Sequence, residues 1–371
     1  MKIFGIGILA FLLFLVELLV YKMFWDKNLK VSISFKQEGI TEGEYGEILE
    51  VIENRKRLPL NMLKVKFQTS KNLGFLDDIG SKTTDQYYRN DVFQVSAEEK
   101  ITRILHFVGK KRGYYRINNI DLVASDLFFV NENIKSMSTE QYLYVYPRVF
   151  KSETFHMSLQ KLNGEILVKR HMLEDPFEYR GIREYQPFDD IRSVNWKASA
   201  RTGELKVNQK NYTAMQTIRI FLNLEDDGIW KREKEVEACM QIAMGLASFF
   251  LAQGIKVSCY ANACDIQSGE HIELAGIAGI AQMDVLGKVF ARADVAKIKP
   301  FYDLFEEMIL TGSDGLFTFF VSANGYDAFT SLLKDCKKQK IDFCWLYPKR
   351  SYEQLEVPEE IRNHVQFLSI D

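Results

Sequence analysis

The densest group of side chains that could do chemistry lies between residues 180 and 201. Its arginines and acids are Arg180, Arg183, Glu184, Asp189, Asp190, Arg192 and Arg201. A guanidinium and a carboxylate can form two parallel hydrogen bonds, which fix their relative geometry. We therefore expect an ion-paired joint in which Arg183, Asp190, Arg192 and Arg201 form one network. If these arginines are solvated instead, they are better interpreted as a docking face for a partner.

A second group of polar side chains follows an apolar run at residues 217–224. Glu225, Asp226 and Asp227 are adjacent there, and the loops after parallel strands are the usual site-forming loops of α/β sheets. Three carboxylates in such a loop could hold a hard cation or serve a hydrolase. The alternative is a solvated acidic loop that opens the next helix, because carboxylates favour the positive end of a helix dipole.

Catalytic patterns are otherwise scarce in the sequence. It contains no phosphate-binding G-x-x-x-x-G-K-[ST], no H-E-x-x-H and no G-x-S-x-G. The five histidines lack ligand spacing, and the five cysteines form no C-x-x-C pair. We therefore expect no enzymatic activity, no cofactor and neither a disulfide framework nor a structural zinc site. A net charge of -2 excludes a global basic field, and we expect no nucleic-acid partner.

The N-terminal segment predicts a membrane anchor over residues 1–25. Ile3 to Tyr21 is a run of 19 residues with a single charge, Glu17, and a helix of that length spans roughly 28 Å. A lysine and aromatic residues follow at 22–25, as in an interfacial belt, where a cleaved signal peptide would show a small-residue site. The segment is therefore interpreted as an uncleaved single span in the cell membrane.

Lysines set the expected orientation of this span. Lys22, Lys27, Lys30 and Lys36 follow it, whereas Lys2 precedes it. The positive-inside rule then places the soluble part in the cytoplasm. Unpaired cysteines agree with a reducing compartment.

Residues 30–150 have the period-two pattern of β-strands. Val31, Ile33 and Phe35 alternate with polar residues, and glycine and asparagine turn signals recur at short spacing. This pattern predicts an antiparallel β-sandwich. The basic run 110–112 precedes a glycine, so we expect it at a turn that is solvated or touches anionic lipid.

Residues 214–371 change to an α/β pattern. Buried apolar strands are predicted at 217–224, 255–260, 315–321, 341–347 and 365–370, with helices at 231–253 and 327–338. Gly254 is expected to end the first of these helices. Apolar strands that alternate with helices indicate a mostly parallel, Rossmann-like sheet covered on both faces.

Residues 151–213 link the two parts and contain the arginine-rich segment. The segment predicts a turn and a short helix that Asp189 or Asp190 caps and Gly203 ends. Ile191, Val194 and Ala198 are expected to form its apolar stripe.

This segment closely resembles the signature of the domain-of-unknown-function 58 family. The matching positions are Arg183, Tyr185, Pro187, Asp189, Asp190, Arg192, Trp196, Ser199, Ala200 and Arg201. Two positions depart from the family pattern, because Phe188 replaces a glycine and Asn195 replaces an aspartate. The long pattern makes the resemblance specific, although the family's biochemical role is poorly defined.

The resemblance implies that residues 214–371 form a von Willebrand factor A-like domain. Such domains often bind a divalent cation through D-x-S-x-S after the first strand. Here the corresponding positions are Asn223, Glu225 and Asp227, with Ser322 and Asn324 near a later strand end. Neutral side chains replace charged ligands at two of these positions, so we expect no tight metal site.

The resemblance also implies a partner, a MoxR-type AAA+ ATPase. The expected function is a membrane-anchored, non-enzymatic scaffold or interaction protein that acts in the assembly or maturation of other complexes. One alternative is a cation-dependent adhesion or sensor module that faces outward. The other is a hydrolase that uses the acidic loop 225–227.

Overall fold

The chain forms two compact units. The computed structural model describes residues 2–77, 80–171, 179–187, 189–210, 217–226, 232–309, 317–350 and 355–370. The first unit contains Met1–Arg148, Asp265–Ser268 and Asp284–Ala293, and the second contains Val149–Cys264, Gly269–Met283 and Asp294–Asp371.

An exposed apolar helix, α1 (Lys2–Phe24), opens the first unit. The stretch Phe4–Phe24 is long and apolar enough to span a membrane, and only 6% of its most apolar part is buried. The end of the helix is different, because Tyr21 and the following Trp25 are buried in the core of the unit. The Tyr21 hydroxyl donates to the Pro59 carbonyl at 2.7 Å. The helix is therefore tied to the folded part at its C-terminal end.

Within the described residues of this unit, ten strands follow α1 and form two sheets. They are β1 (Leu29–Phe35), β2 (Gly39–Thr41), β3 (Tyr45–Asn54), β4 (Leu60–Ser70), β5 (Leu73–Phe75), β6 (Ser81–Thr83), β7 (Gln86–Val95), β8 (Lys100–Gly109), β9 (Gly113–Ser125) and β10 (Glu132–Tyr146). One sheet has the order β1-β3-β8-β5 and the other β2-β10-β9-β4-β7-β6. The short β2 runs parallel to β10, whereas the long neighbouring strands run antiparallel.

The apolar residues of these strands meet in one core between the sheets. Ile48 and Ile52 of β3 and Leu63 and Val65 of β4 are fully buried in it. Because successive side chains of a strand point to opposite faces, the period-two pattern places one apolar set inside. The predicted β-sandwich is therefore present.

The basic run 110–112 is not simply a solvated turn. Arg112 is only 6% exposed, and its Nη1 donates to the carbonyls of Phe290 and Ala293 at 3.0 and 3.1 Å. Phe290 lies in the last turn of a helix that ends at Ala291, and Ala293 follows that helix, both within the first unit. A cation at a helix C-terminus satisfies its free carbonyls and complements its dipole, so Arg112 has a structural role here.

The remaining elements alternate between helices and strands. They are α2 (Glu153–His171), β11 (Tyr179–Glu184), a 3₁₀ helix (Ile191–Ser193), α3 (Trp196–Thr202), β12 (Lys206–Lys210), β13 (Thr217–Asn223), α4 (Glu233–Ala252), β14 (Lys256–Asp265), β15 (His271–Ile277), a 3₁₀ helix (Ile280–Gln282), α5 (Met283–Ala291), β16 (Ala293–Ile298), α6 (Phe301–Ile309), β17 (Phe317–Ser322), α7 (Asp327–Lys338), β18 (Phe343–Lys349), a 3₁₀ helix (Arg362–His364) and β19 (Val365–Ser369). The sequence does not predict α2, β11, β15, β16, α5 or α6.

The large sheet of the second unit is mostly parallel, as predicted. Its order is β15-β14-β13-β17-β18-β19, with β16 beside β14. β13 lies between β14 and β17 and runs parallel to both, whereas β15 is antiparallel to β14. The carboxyl ends of β13, β14, β17 and β18 consequently meet at one edge of the sheet.

Helices cover both faces of this sheet. Phe250 of α4 contacts Phe319 at a ring distance of 5.5 Å on one face, and Phe301 of α6 contacts Phe320 at 6.4 Å on the other. Helix α4 is also apolar and long enough to span a membrane, but 72% of its most apolar stretch is buried, which is typical of a core helix. Gly254 ends it with a φ of 74°, as predicted.

Candidate functional site

The signature segment folds as a small hairpin platform. Strands β11 and β12 pair antiparallel, and the first 3₁₀ helix and α3 lie between them in sequence. Val194 forms an isolated bridge to Val207, and both side chains are buried. This small apolar contact holds the helical part of the segment against the strands.

Hydrogen bonds from Asn195 and Ser199 fix α3 on the platform. The Asn195 Oδ1 caps the helix by accepting from the Ala198 N–H at 2.9 Å, and its Nδ2 donates to Asn208 Oδ1 at 2.7 Å. The Ser199 hydroxyl donates to the Asn195 carbonyl and accepts from the Lys206 N–H, both at 2.8 Å. An amide at 195 can accept and donate at once, whereas the aspartate of the family pattern could only accept.

Among its described residues, the segment contains one bidentate ion pair. The Arg183 guanidinium donates to both carboxylate oxygens of Asp189 at 2.6 Å. Asp189 also accepts from the Gln186 N–H at 2.8 Å. These contacts, the arginine first, lower the pKa of the Asp189 carboxyl. The pair therefore holds the turn that follows β11.

The expected four-residue network does not form among the described residues. Asp190 caps the 3₁₀ helix by accepting from the Arg192 backbone N–H at 3.0 Å, and no guanidinium pairs with it in this part of the chain. The Arg192 and Arg201 side chains are exposed and likewise have no ion pair within the described ranges. Arg192 and Arg201 are thus solvated, which corresponds to the docking-face interpretation.

The predicted single helix is divided in two. Val194 adopts an extended conformation, with φ -64° and ψ 125°, between the 3₁₀ helix and α3. Asn195 is consequently the N-cap of α3 in place of Asp189 or Asp190. Gly203 ends α3 with a φ of 77°, as predicted.

This break separates Ile191 from the predicted apolar stripe. Ile191 is 66% exposed, and so is Trp196 at the start of α3. The two side chains and the exposed Arg192 and Arg201 define what we call the signature surface. Its large apolar and cationic side chains are exposed to solvent on the hairpin platform.

The other signature residues have supporting positions. The Tyr185 N–H donates to the Leu205 carbonyl at 2.9 Å and extends the hairpin by one residue. Pro187 lies in the exposed turn. Phe188 and the Arg180 side chain lie outside the described part of the chain.

A cavity of about 660 Å³ lies at the carboxyl edge of the parallel sheet. Its lining comprises Leu224, Glu225, Asp226, Glu233, Val236, Val295, Ala296, Ile298, Lys299 and Pro300. The acids of the loop make backbone contacts, since Glu225 accepts from the Phe301 N–H at 2.7 Å and Asp226 from the Arg232 N–H at 2.6 Å. Each contact satisfies an N–H at the beginning of a helix, as the dipole argument predicts. Asp227 lies outside the described residues.

The candidate metal-ligating oxygens of the edge also accept hydrogen bonds. Asn223 Oδ1 accepts from the Glu225 N–H at 2.9 Å and from Asn262 Nδ2 at 3.2 Å. Ser322 Oγ accepts from the Asn324 N–H at 3.0 Å, and Asn324 Oδ1 from the Tyr326 N–H at 3.0 Å. These oxygens therefore maintain loop structure. Among the described residues, no group of three or more histidine, cysteine, aspartate or glutamate side chains has a geometry that could hold a metal ion.

A guanidinium lies at the same edge. Arg232 donates from Nη1 to the Ala323 carbonyl at 2.9 Å and from Nη2 to the Tyr347 hydroxyl at 3.2 Å. Nothing in the sequence around Arg232 distinguishes it from other helix-flanking arginines. Its positive charge lies beside the ends of β17 and β18 and opposes the approach of a cation.

We expect no tight magnesium site at this edge. Calorimetry on the detergent-solubilised full chain should show no saturable heat below about millimolar Mg²⁺. The candidate oxygens already accept hydrogen bonds, and Arg232 adds a positive charge. The Asp227→Ala variant is the control and should give the same trace. A micromolar site that Asp227→Ala abolishes would contradict this expectation.

The signature region matches a protein family. Residues 181–262, which extend from β11 into β14, match the family model described as "Protein of unknown function DUF58". The match includes the hairpin platform and supports the DUF58 family that the signature resembles. A search of curated proteins gives no match to the chain.

Several solved structures are similar to about a third of the chain. The CARDB domain of a Pyrococcus furiosus protein, solved in complex with di-metal ions, is 15% identical, with 31% of this chain and 93% of that chain covered and a TM-score of 0.21. A non-cellulosomal cohesin from Archaeoglobus fulgidus is 13% identical, with 35% and 97% covered and a TM-score of 0.23. Native alpha-2-macroglobulin from Escherichia coli is 10% identical, with 32% and 17% covered and a TM-score of 0.24.

Proposed function

We propose that this chain is a membrane-anchored, non-enzymatic interaction protein that docks a protein partner on the signature surface. The observation that carries the proposal is the exposure of Ile191 and Trp196, each 66% exposed, beside two solvated arginines. Tryptophan and arginine are the residues most enriched at the energetic centres of protein interfaces. Isolated exposed apolar residues are common, but here two of them share a short and well-held segment.

Preorganisation of the platform supports docking. The Arg183–Asp189 pair, the Asn195 cap and the Ser199 hydroxyl hold the backbone on both sides of Trp196. A surface that is already ordered loses little conformational entropy when it binds. The signature segment can thus present a fixed binding geometry to a partner.

Charge indicates the chemistry of the partner surface. Lys197 and Arg201 lie one turn apart on α3 and are exposed, as is Arg192. A complementary surface is acidic around an apolar centre. From the family resemblance we infer that the partner is a MoxR-type AAA+ ATPase and that the pair acts in the assembly or maturation of other complexes.

The anchor and the second unit complete the proposal. Helix α1 is the span, and the lysines that follow it favour a cytoplasmic soluble part, where an ATPase partner has access to nucleotide. Protease treatment of intact cells, which should leave the soluble part uncut, distinguishes this orientation from an outward-facing module.

The parallel sheet and the loop after β13 are consistent with a von Willebrand factor A-like domain, which we include in the proposal.

Capture of the partner tests the proposal directly. The tagged full chain, extracted from membranes, should capture an AAA+ ATPase. A variant with Trp196→Ala and Arg192→Ala should capture at least about tenfold less, because truncating a centre of this kind costs about 2 kcal/mol or more. The residues are exposed, so the variant should melt at the same temperature as the unchanged chain.

Tyr302→Ala is the matched control, since Tyr302 is 61% exposed on α6 of the same unit. It should capture the ATPase as well as the unchanged chain does. Equal capture by the signature variant, or no ATPase captured by the unchanged chain, would contradict the proposal.

A further inference from the structure

The turn between β9 and β10 exposes four consecutive apolar residues. Leu127, Phe128, Phe129 and Val130, which we call the apolar tip, are 39%, 59%, 60% and 60% exposed. A run of this kind at a hairpin end is unusual in water, because loop tips are normally polar. Its position beside α1 indicates a surrounding other than water.

The apolar tip lies against the membrane-spanning helix. The Leu127 N–H donates to Glu17 Oε1 at 2.9 Å, and the rings of Phe128 and Phe14 are in edge contact at 5.4 Å. Glu17 and Phe14 precede Tyr21 by four and seven residues, which corresponds to about 6 and about 10 Å along the helix. Tyr21 is buried in the sandwich core, so the tip extends past the folded part along the apolar side of α1.

Carboxylates satisfy the backbone of the tip. Asp126 is 1% exposed, and its two oxygens accept from the N–H groups of Val130 and Asn131, both at 2.8 Å. The Phe129 N–H donates to the Asp126 carbonyl at 3.2 Å. With the bond from Leu127 to Glu17, most of the tip's N–H groups have acceptors within the protein. Irregular backbone is tolerated at membrane depth only when its polar groups are satisfied in this way.

We propose that the apolar tip inserts into the acyl-chain region of the bilayer beside α1. The inference rests on the proposed anchoring by α1. Lipid is the expected surrounding of the tip, because the tip is continuous with the apolar surface of that helix. Insertion by several ångströms is the usual depth of interfacial apolar groups. It also gives Glu17 a role, since the one acidic group of the span accepts a hydrogen bond from the tip. The sandwich would then be held to the membrane at two points, which restricts its rotation about α1.

Spin labelling of the full chain in lipid vesicles tests the insertion. The five native cysteines are buried, so a nitroxide on Phe129→Cys reports on the tip. Accessibility to oxygen, which concentrates in acyl chains, is compared with accessibility to a water-soluble nickel chelate. We expect the oxygen-to-nickel ratio to be several-fold higher at the tip than at a control site in water.

Tyr45→Cys is the control, because Tyr45 is 68% exposed at the start of β3. That strand carries it about 30 Å from Asn54, which pairs with Leu29 close to the end of α1. Val130→Cys gives a second label position at the tip if Phe129→Cys does not fold.

The outcomes separate the tip from the anchor. High oxygen and low nickel accessibility at the tip supports insertion. A vesicle-bound chain whose tip label is as open to nickel as the Tyr45→Cys label overturns insertion but leaves the anchor in place. A tip label shielded from both reagents shows that protein covers the tip and also overturns the inference. A chain that does not float with vesicles overturns the anchor and, with it, the insertion.

Discussion

Asp91→Ala is expected to destabilise the β-sandwich by about 3–5 kcal/mol. Asp91 is 4% exposed, and its carboxylate accepts from Arg89 Nε at 2.6 Å and from Arg103 Nη1 at 2.8 Å. The Arg89 side chain is fully buried. Removal of the carboxylate would therefore leave a guanidinium in the core without its main counter-charge. Hydrogen exchange of peptides from β3, β7 and β8 in the full chain measures this loss as local unfolding free energy.

Asp77→Ala is the matched control. Asp77 contacts the same two arginines, but its side chain is 46% exposed, so its loss should cost about 1 kcal/mol or less. If Asp91→Ala costs no more than this control, the cluster is effectively solvated and the expectation is wrong. A double variant, Arg89→Met with Asp91→Leu, should recover part of the loss, because a buried pair can be replaced by apolar residues more cheaply than it can be broken.

The sequence predicts the sandwich far better than it predicts this cluster. Periodicity requires only that one set of alternating residues is apolar, and Val31, Ile33, Ile48 and Ile52 satisfy that requirement. In β7 the inward set contains Arg89, which in a one-dimensional pattern looks like an outward residue. Which charged side chains meet between the sheets depends on register and on the pairing of distant strands, and neither is encoded in local spacing.

In the signature segment, too, the local features can be predicted from the sequence and the ion-pair partners cannot. Its turn and its terminal Gly203 follow from local chemistry, and the structure contains them. The ion-pair partner of Arg183 cannot be predicted in this way, because Asp189 and Asp190 are adjacent and similar. Only the direction of the backbone selects Asp189 for Arg183. The extended conformation of Val194 then places Ile191 in solvent. The docking interpretation therefore depends on three-dimensional exposure, because the sequence indicates Arg192, Trp196 and Arg201 as interaction residues but predicts Ile191 on an apolar stripe.

Glu50→Gln is expected to stabilise the sandwich by about 3 kcal/mol above neutral pH. Glu50 is 1% exposed on β3, and neither carboxylate oxygen has a hydrogen-bond partner among the residues that the structure describes. Burial, and then the nearby Asp91 charge, raise the pKa of Glu50 from 4.5 to about 7, against the opposing effects of Arg103 and Arg89. Between about pH 4.5 and 7 the folded state therefore retains a proton that the unfolded chain has already released, and above about 7 it holds a buried charge. A glutamine has nearly the same shape and no charge to bury, so it removes this penalty.

The sign of the pH dependence follows from the two pKa values. Below about pH 4.5 both states hold the proton and Glu50 costs nothing. As the pH rises towards 7 only the unfolded state ionises, so stability falls, and above 7 the full penalty remains. Protection of the β3 peptides, corrected for the intrinsic exchange rate, should thus decrease over this interval in the unchanged chain and not in Glu50→Gln. Glu53→Gln, on the same strand, should keep the decrease, because Arg55 lowers the pKa of the Glu53 carboxyl. A Glu50→Gln variant that retains the full decrease would show that another group titrates, and would remove Glu50 as the cause.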